Sequence, residues 1–286
     1  MPVPASILGT RGPSMDHGVD ERWTMAYAAS LDHDEPVWFD TTSADGVVAH
    51  PMFPVCPEWP VIVGARGRHQ PSMSDDELRR GVHATHDLTI HRLVRPGDQL
   101  TTSLEVVGLE KRRPGTYETM RIETVDQGGE PVATTIQGSM YVGVELDGEP
   151  SAPVVDPPPL HGLDVGGADE VAVPVAAGLA HTYTECARIW NPIHTDKAVA
   201  VAAGLPDIIL HGTATMALAV SAVMNLRANG DPARVRRICG RFRAMVLMPS
   251  TIRVRVGPRS ADGRVPYEVI NAEGEPAIDQ GVVVVD

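Results

Sequence analysis

The sequence predicts an α+β protein made of two tandem copies of one unit, each an antiparallel sheet wrapped around a central helix. Two observations lead to this prediction. Three segments of the first half recur in the same order in the second half, which indicates an internal repeat. In the second half, one long apolar helix-forming segment stands among short alternating strands, so a sheet should bury this helix.

The repeat opens with an aromatic-led segment. YAASLDHDEPVWFD (27–40) matches YTECARIWNPIHTD (183–196) in its first aromatic residue, its proline and its closing aspartate. A strand, a proline turn and an alternating strand follow at 85–108 and again at 240–257. Each copy closes with a hairpin turn and a β-rich strand. The corresponding prolines are similarly spaced, so the matches are collinear.

A segment rich in proline and glycine, DGEPSAPVVDPPPLHGLDVGGAD, separates the copies and suits an extended linker. A chain of 286 residues is also long enough for two domains. We therefore predict a first domain over 1–145, a linker over 146–169 and a second domain over 170–286.

The central helix of the second copy is predicted at GTATMALAVSAVMNLRANG (212–230), after an alanine-rich segment at 197–206. The corresponding region of the first copy, 53–71, contains four prolines. Because proline interrupts helices, we expect a shortened or displaced helix there.

Composition excludes several classes of protein. A content of 43% hydrophobic and 21% charged residues is typical of globular proteins, and no apolar run approaches the ~20 residues of a membrane helix. The first residues lack the pattern of a secretory signal, so we expect a cytoplasmic protein with no membrane partner. A net charge of −13 disfavours nucleic-acid binding. Three cysteines without a CxxC pair indicate neither a disulfide framework nor a metal site.

The string NPIHTD (191–196), followed by AAGLPDIILHGTATMALA (202–219), resembles the MaoC-like family of (R)-specific enoyl-CoA hydratases and 3-hydroxyacyl dehydratases. The segments YAASLDHDEPVWFD and AHPMFP resemble the degenerate first domain of the two-domain members. The resemblance implies a tandem double hotdog fold and a lyase that hydrates a 2-enoyl thioester or dehydrates a 3-hydroxyacyl thioester. It implies no cofactor other than the CoA of the substrate.

The family signature also implies site residues. Tyr183 opens it, Asn191 and Pro192 are kept, and His194 falls at the catalytic histidine. Gly212 would supply the backbone N–H group that holds the thioester oxygen.

The sequence departs from the signature where the family has Gly-Asp, because Arg188 and Ile189 stand there. The catalytic aspartate is thus missing, and general acid–base assistance is typically worth ~10²–10⁴-fold per group. Two carboxylates are candidate replacements. Glu185 lies one turn before Ile189 if the helix continues that far, and Asp207 lies in the loop before LHG.

In the first copy we place Asp32 at the position of that aspartate and Trp38 at that of the histidine. Neither copy therefore holds a complete catalytic pair.

Arginine suits the phosphates of CoA because it makes bidentate contacts. Five arginines cluster before a predicted strand and are candidates for this role, with a solvated face as the alternative: Arg234, Arg236, Arg237, Arg241 and Arg243.

The missing aspartate keeps two other functions open, a thioester hydrolase and a catalytically silent subunit that binds acyl-CoA or has a structural role. The expected partner is an acyl-CoA or acyl-carrier thioester, and a homodimer or a hetero-oligomer with a homologue is open. The acyl group and the direction of the reaction are not encoded in a readable pattern.

Overall fold

The computed structural model describes residues 2–66, 73–156, 158, 160 and 164–286. The helices are α1 (Glu21–Ala29), α2 (Pro36–Phe39), α3 (Val55–Arg66), α4 (Asp75–Arg79), α5 (Leu179–Ala187), α6 (Lys197–Ala202) and α7 (Gly212–Arg227). The strands are β1 (Val3–Pro4), β2 (Met15–Gly18), β3 (Gly81–Ile90), β4 (Gln99–Arg112), β5 (Gly115–Val125), β6 (Pro131–Val142), β7 (Leu146–Asp147), β8 (Asp169–Val175), β9 (Val235–Phe242), β10 (Ser250–Val256), β11 (Arg264–Ile270) and β12 (Pro276–Val285).

Ten strands form one antiparallel sheet in the order β2-β4-β5-β6-β3-β9-β12-β11-β10-β8. From the central β3–β9 pair outward, equivalent strands of the two copies follow in the same order on both sides. The helices α1 and α5, and likewise α3 and α7, occupy equivalent positions along the chain. The predicted tandem arrangement of two α+β units is confirmed.

The two copies join where β3 pairs with β9. Asp87 lies opposite Cys239 in this register, and Leu88 lies opposite Ile238. Across the pair, Nε and Nη2 of Arg237 each donate to a carboxylate oxygen of Asp87 at 2.7 Å. Leu88 and Ile238 are fully buried. Both copies therefore share one sheet and one large apolar core, and a second apolar cluster lies within the first copy.

The predicted central helix of the second copy is confirmed as α7, and every residue from 214 to 224 is buried. Most of these residues are alanine or other small side chains, which allows close packing against the sheet. Gly230, just beyond the helix, has a φ of 71°, the left-handed conformation that glycine adopts without strain. In the first copy, α3 is shorter and contains Pro60, as expected. Residues 67–71 of that predicted region, together with residue 72, lie outside the described ranges.

The segments that open the two copies pack against each other. The hydroxyls of Tyr27 and Tyr183, the equivalent aromatic residues, are 3.2 Å apart and buried. Asp32 and Arg188 each follow a helix with a left-handed φ, of 61° and 58°. This shared geometry makes Asp32 equivalent to Arg188, so its assignment to the aspartate position is wrong by one residue. His33 is the equivalent of Ile189.

In the first copy, this motif is used for packing. His33 lies 2.8 Å through Nδ1 from a Glu35 carboxylate oxygen and 2.9 Å through Nε2 from the Ser221 hydroxyl on α7. Trp38, at the histidine position, is buried and donates its Nε1–H to Glu35 at 2.9 Å. These contacts bind the turn of the first copy to α7 of the second copy.

Between the copies, β6 ends at Val142 and β8 begins at Asp169, with only the short β7 between them among the described residues. Residues 157, 159 and 161–163 of the predicted linker lie outside those residues, and the domain boundaries stay predictions. Across the described ranges, none of the helices is both long and apolar enough to span a membrane.

We expect Arg237→Ala to lower the free energy of unfolding by roughly 2–4 kcal/mol, because it leaves the mostly buried Asp87 carboxylate without its partner. Urea unfolding measures this change. The control is Arg253→Ala, whose partner Glu170 lies at 3.5 Å with both side chains nearly half exposed; its loss should be below about 1 kcal/mol. Equal losses for the two variants would contradict a stabilising role at the β3–β9 pair.

Candidate active site

A cavity of about 750 Å³ is lined by residues of both copies. The second copy contributes Ile189, Asn191, His194, His211, Gly212 and Phe242. The three residues predicted from the signature to act on the substrate, Asn191, His194 and Gly212, are therefore brought to one cavity.

His194 lies in a short 3₁₀ turn, Pro192–His194, that follows α5. Its Nδ1 is 2.8 Å from the backbone oxygen of Ile209, so Nδ1 carries the proton and Nε2 is the accepting nitrogen. Burial lowers the pKa of His194 to about 4, although the bond to Ile209 opposes this shift. The imidazole is consequently neutral at pH 7 and can accept a proton.

The ring of His211 stacks on that of His194, with centroids 3.7 Å apart and planes 26° apart. Its Nε2 lies 3.1 Å from the Thr184 hydroxyl. Burial, and secondarily the neighbouring His194, hold the pKa of His211 well below its usual value. The stack and the Ile209 carbonyl together fix the orientation of His194. The sequence predicted no role for His211, although this residue directly precedes Gly212 in LHG.

Gly212 is the first residue of α7, and the side chain of His211 does not cap that helix. The first N–H groups of a helix lack partners within the helix and carry partial positive charge. A Cβ atom at Gly212 would lie 3.0 Å from the Phe242 ring, closer than side chains normally pack. Glycine therefore allows the Phe242 ring to pack against the helix terminus. This arrangement can stabilise an oxyanion at the cavity wall.

Glu185 is exposed and lies outside the cavity that His194 lines, so its prediction as a replacement base is wrong. The helix ends at Ala187, and Arg188 turns left-handed, so Ile189 does not continue the helical face of Glu185. Ile189 lines the cavity, whereas the exposed Glu185 accepts from Nε1 of Trp190 at 3.5 Å.

Asp207 is also outside the cavity. It is exposed and accepts from Nζ of Lys197 at 2.7 Å. Its prediction as a replacement base is wrong as well, because the ion pair holds the carboxylate at the surface.

Only part of the arginine cluster reaches the cavity. Arg241 and Arg243 line it, and both pair with Asp279. Arg234 and Arg236 instead contact Asp286, and Arg237 is bound to Asp87. Arg234, Arg236 and Arg237 thus lie outside the cavity, and the CoA-binding prediction stays a prediction for the whole cluster.

The first copy supplies the cavity with side chains for which the sequence predicted no role in the site. Glu58 on α3 is buried and accepts from the Thr135 hydroxyl at 2.5 Å. Burial raises the pKa of Glu58 to about 8, although the Thr135 bond opposes this shift. No local motif marks Glu58, because its position depends on how α3 packs on the sheet. Within the described residues, no group of three potential ligands could hold a metal ion.

Comparison with known proteins relates each copy to a dehydratase domain model. Residues 168–266 match the family model described as a MaoC like domain, and residues 9–135 match a FAS1-like, dehydratase domain region. Residues 168–266 thus belong to the MaoC-like domain family, and residues 9–135 are similar to a second dehydratase domain region. The chain is 30% identical over 188 residues to fatty acid synthase subunit beta of Aspergillus oryzae, a match that covers 64% of the chain and 9% of that protein.

A second relative is the peroxisomal enoyl-CoA hydratase 2 of Arabidopsis thaliana, 40% identical over 63 residues, which covers 22% of the chain and 20% of that protein. The matches thus span a minor part of the length of these relatives.

Solved structures share the fold. The MaoC-like dehydratase from Phytophthora capsici has a TM-score of 0.84 at 22% identity and covers 98% of this chain and 97% of its own. A Mycobacterium tuberculosis protein described as a double hotdog fold has a TM-score of 0.59 at 16% identity and covers 96% and 94%. The predicted double hotdog fold is confirmed.

We expect Glu58→Gln to stabilise the protein increasingly as the pH rises from about 4.5 to about 8, by roughly 2–4 kcal/mol at the upper end. In this range the unfolded chain ionises Glu58, whereas burial keeps the folded carboxyl protonated, so the native glutamate costs stability that glutamine does not. Urea unfolding at several pH values measures the difference.

The control for this series is Glu130→Gln at an exposed carboxylate in a turn, which should change little with pH. A Glu58→Gln difference that stays constant between pH 4 and 8 would contradict the raised pKa.

Proposed function

We propose that this chain is a lyase that adds water to a 2-enoyl thioester or removes water from a 3-hydroxyacyl thioester. The observation that carries the proposal is the placement of the neutral His194 on the same cavity as the N-terminus of α7 at Gly212. The names of relatives agree with it, since one is an enoyl-CoA hydratase and another a fatty acid synthase subunit.

In the proposed mechanism, the thioester carbonyl accepts from the backbone N–H of Gly212. As the oxygen of water bonds to Cβ, Nε2 of His194 takes a proton from that water, and the electron pair of the C=C bond moves toward Cα and the carbonyl oxygen. The partial positive charge at the helix terminus stabilises the resulting enolate. The protonated His194 then gives its proton to Cα. Dehydration follows the same steps in reverse.

Ile189 explains why His194 handles both protons in this mechanism. The family signature places an aspartate here, and the isoleucine side chain lines the cavity without a group that can exchange protons. A single acid–base group should lower the rate by about 10²–10⁴-fold relative to a pair.

The same substitution supports a second candidate function. An acyl-thioester-binding protein without turnover would keep Gly212 and the cavity and would tolerate Ile189. Association into a homodimer or with a competent homologue stays a prediction.

We propose that the thioester is carried by CoA, with Arg241 and Arg243 near its phosphates. Both arginines line the cavity, and Arg243 is about half exposed, with Asp279 3.7 Å from it. An acyl-carrier protein is the alternative carrier.

The decisive assay offers 2-enoyl-CoA and 3-hydroxyacyl-CoA thioesters to the purified chain and follows enoyl absorbance and free thiol in parallel. We expect enoyl loss without thiol release, a drop of at least about 10²-fold for His194→Ala, and a gain for Ile189→Asp. His91→Ala is the matched control, because His91 is exposed and outside the cavity.

Other outcomes separate the alternatives. Thiol release would indicate a thioester hydrolase. Turnover that appears only in Ile189→Asp would favour the binding protein. Activity that His194→Ala leaves unchanged would overturn the assignment of His194.

The pH profile tests the state of His194. Because burial lowers its pKa from 6.5 to about 4, the base remains unprotonated down to pH 5.5. We expect kcat/KM to change less than about twofold between pH 8 and pH 5.5 for this reason. Initial rates measure this pH dependence of kcat/KM, and intrinsic tryptophan fluorescence checks that the protein stays folded. A tenfold fall centred near pH 6.5 would contradict a buried neutral histidine.

A further inference from the structure

The cavity extends from the site of His194 into the first copy, and its wall there is polar. We call this part the polar arm, formed by the buried residues Glu58, His86, Glu118, Gln137 and Ser139. A cavity that held only a hydrocarbon chain would be lined by apolar side chains, because buried polar groups need hydrogen-bond partners.

Strand register gathers the polar arm. On β6, Ser139 lies opposite Glu118 of β5, and Gln137 lies opposite His86 of β3. Nε2 of Gln137 is 3.4 Å from the Ser139 hydroxyl. Glu58 reaches the same space from α3 and is held by Thr135 of β6. The arm is thus built by three adjacent strands and the helix that covers them.

In the second copy, the position on the strand opposite His86 is packed with side chains. Gly240 on β9 lies opposite His86. A Cβ atom built on Gly240 would meet side-chain atoms of Ile278, Tyr267 and Met216 within 3.1 Å. The second copy packs this space with side chains, whereas the first copy leaves it open and lines it with hydrogen-bonding groups.

His86 is the clearest sign that a ligand belongs in the arm. It is 1% exposed, and neither ring nitrogen has a hydrogen-bond partner among the described residues. A buried polar group without a partner destabilises a protein by about 1–3 kcal/mol. Burial and the neighbouring His83 keep the pKa of His86 well below its usual value, so the ring offers one donor and one acceptor.

The polar arm lies beyond the thioester position. The Phe242 ring packs against the Gly212 backbone, the His83 ring is 4.7 Å from the Phe242 ring, and the His86 ring is 5.4 Å from that of His83. Two rings thus separate the oxyanion position from His86. If a thioester carbonyl is bound at Gly212, the part of the acyl chain that reaches His86 is therefore distant from that carbonyl.

We propose that the polar arm binds the acyl chain, and that the substrate carries a neutral hydroxyl or keto group distant from the thioester, which hydrogen bonds to His86 and Gln137. This inference rests on the proposed function, since it names the substrate class of that site. A neutral group fits because the neighbouring Glu58 keeps its proton at pH 7 and His86 is neutral. An alkyl chain would leave both ring nitrogens of His86 without hydrogen-bond partners among the described residues.

The test compares 2-enoyl-CoA substrates of equal chain length that are unsubstituted, hydroxylated or keto-substituted toward the distal end. We expect kcat/KM to be at least about tenfold higher for a substituted chain, because a site built for hydrogen bonds discriminates against the analogue that lacks them. His86→Phe should lose this preference, with lower kcat/KM on the substituted chain and higher kcat/KM on the alkyl chain. Damage to the fold would lower both.

His91→Phe is the matched control, since it makes the same substitution at an exposed histidine just beyond β3 and should keep the preference. Equal kcat/KM for alkyl and substituted chains in the parent protein would overturn the inference and leave the proposed function standing.

If the parent hydrates none of these thioesters, the proposed function fails, and calorimetric titration with saturated and hydroxylated acyl-CoAs tests the arm by itself. A preference of at least about tenfold in Kd that His86→Phe removes would support the arm, and equal Kd values would overturn it.

Discussion

The antiparallel pairing of β3 with β9 is the constraint on which the rest of the structure depends. It joins two five-stranded halves into one sheet and places the inner face of the first half beside the site of the second. The Asp87–Arg237 ion pair crosses this pair of strands. His86 and Phe242 lie on the two paired strands and line the same cavity. One backbone pairing therefore holds the fold together and gives the second copy a cavity larger than it could form alone.

Burial also sets the chemistry of the cavity. Removal from water disfavours charge, so it lowers the pKa of His194 and raises that of Glu58. Both groups are therefore mainly neutral near pH 7, one as a base and the other as a hydrogen-bond donor. The backbone dipoles at the start of α7 supply positive potential without a formal charge. Such a site suits a substrate that is neutral at rest and develops negative charge only as it reacts.

The two copies have divided their roles. In the second copy, the turn after α5 presents His194 to the cavity. In the first copy, the equivalent turn packs Trp38 and His33 against Glu35 and Ser221, which connects it to α7. The first copy has Trp38 at the position of His194, and its sheet contributes the far wall of the cavity instead. Duplication thus produced one site with two different walls rather than two sites.

The sequence by itself determined the repeat and the buried helix α7, because each depends on a local pattern of spacing, and its resemblance to a family signature implied Asn191, His194 and Gly212 as site residues. It misplaced features that depend on how a segment ends or on what lies across the sheet. Because Arg188 has a left-handed φ, Glu185 lies outside the cavity. Three residues of the arginine cluster contact Asp286 or Asp87 and do not line the cavity. Only the tertiary structure decided that His86 and other polar side chains of the first copy line the cavity, since strand pairing brings together residues that are far apart in the chain and share no motif.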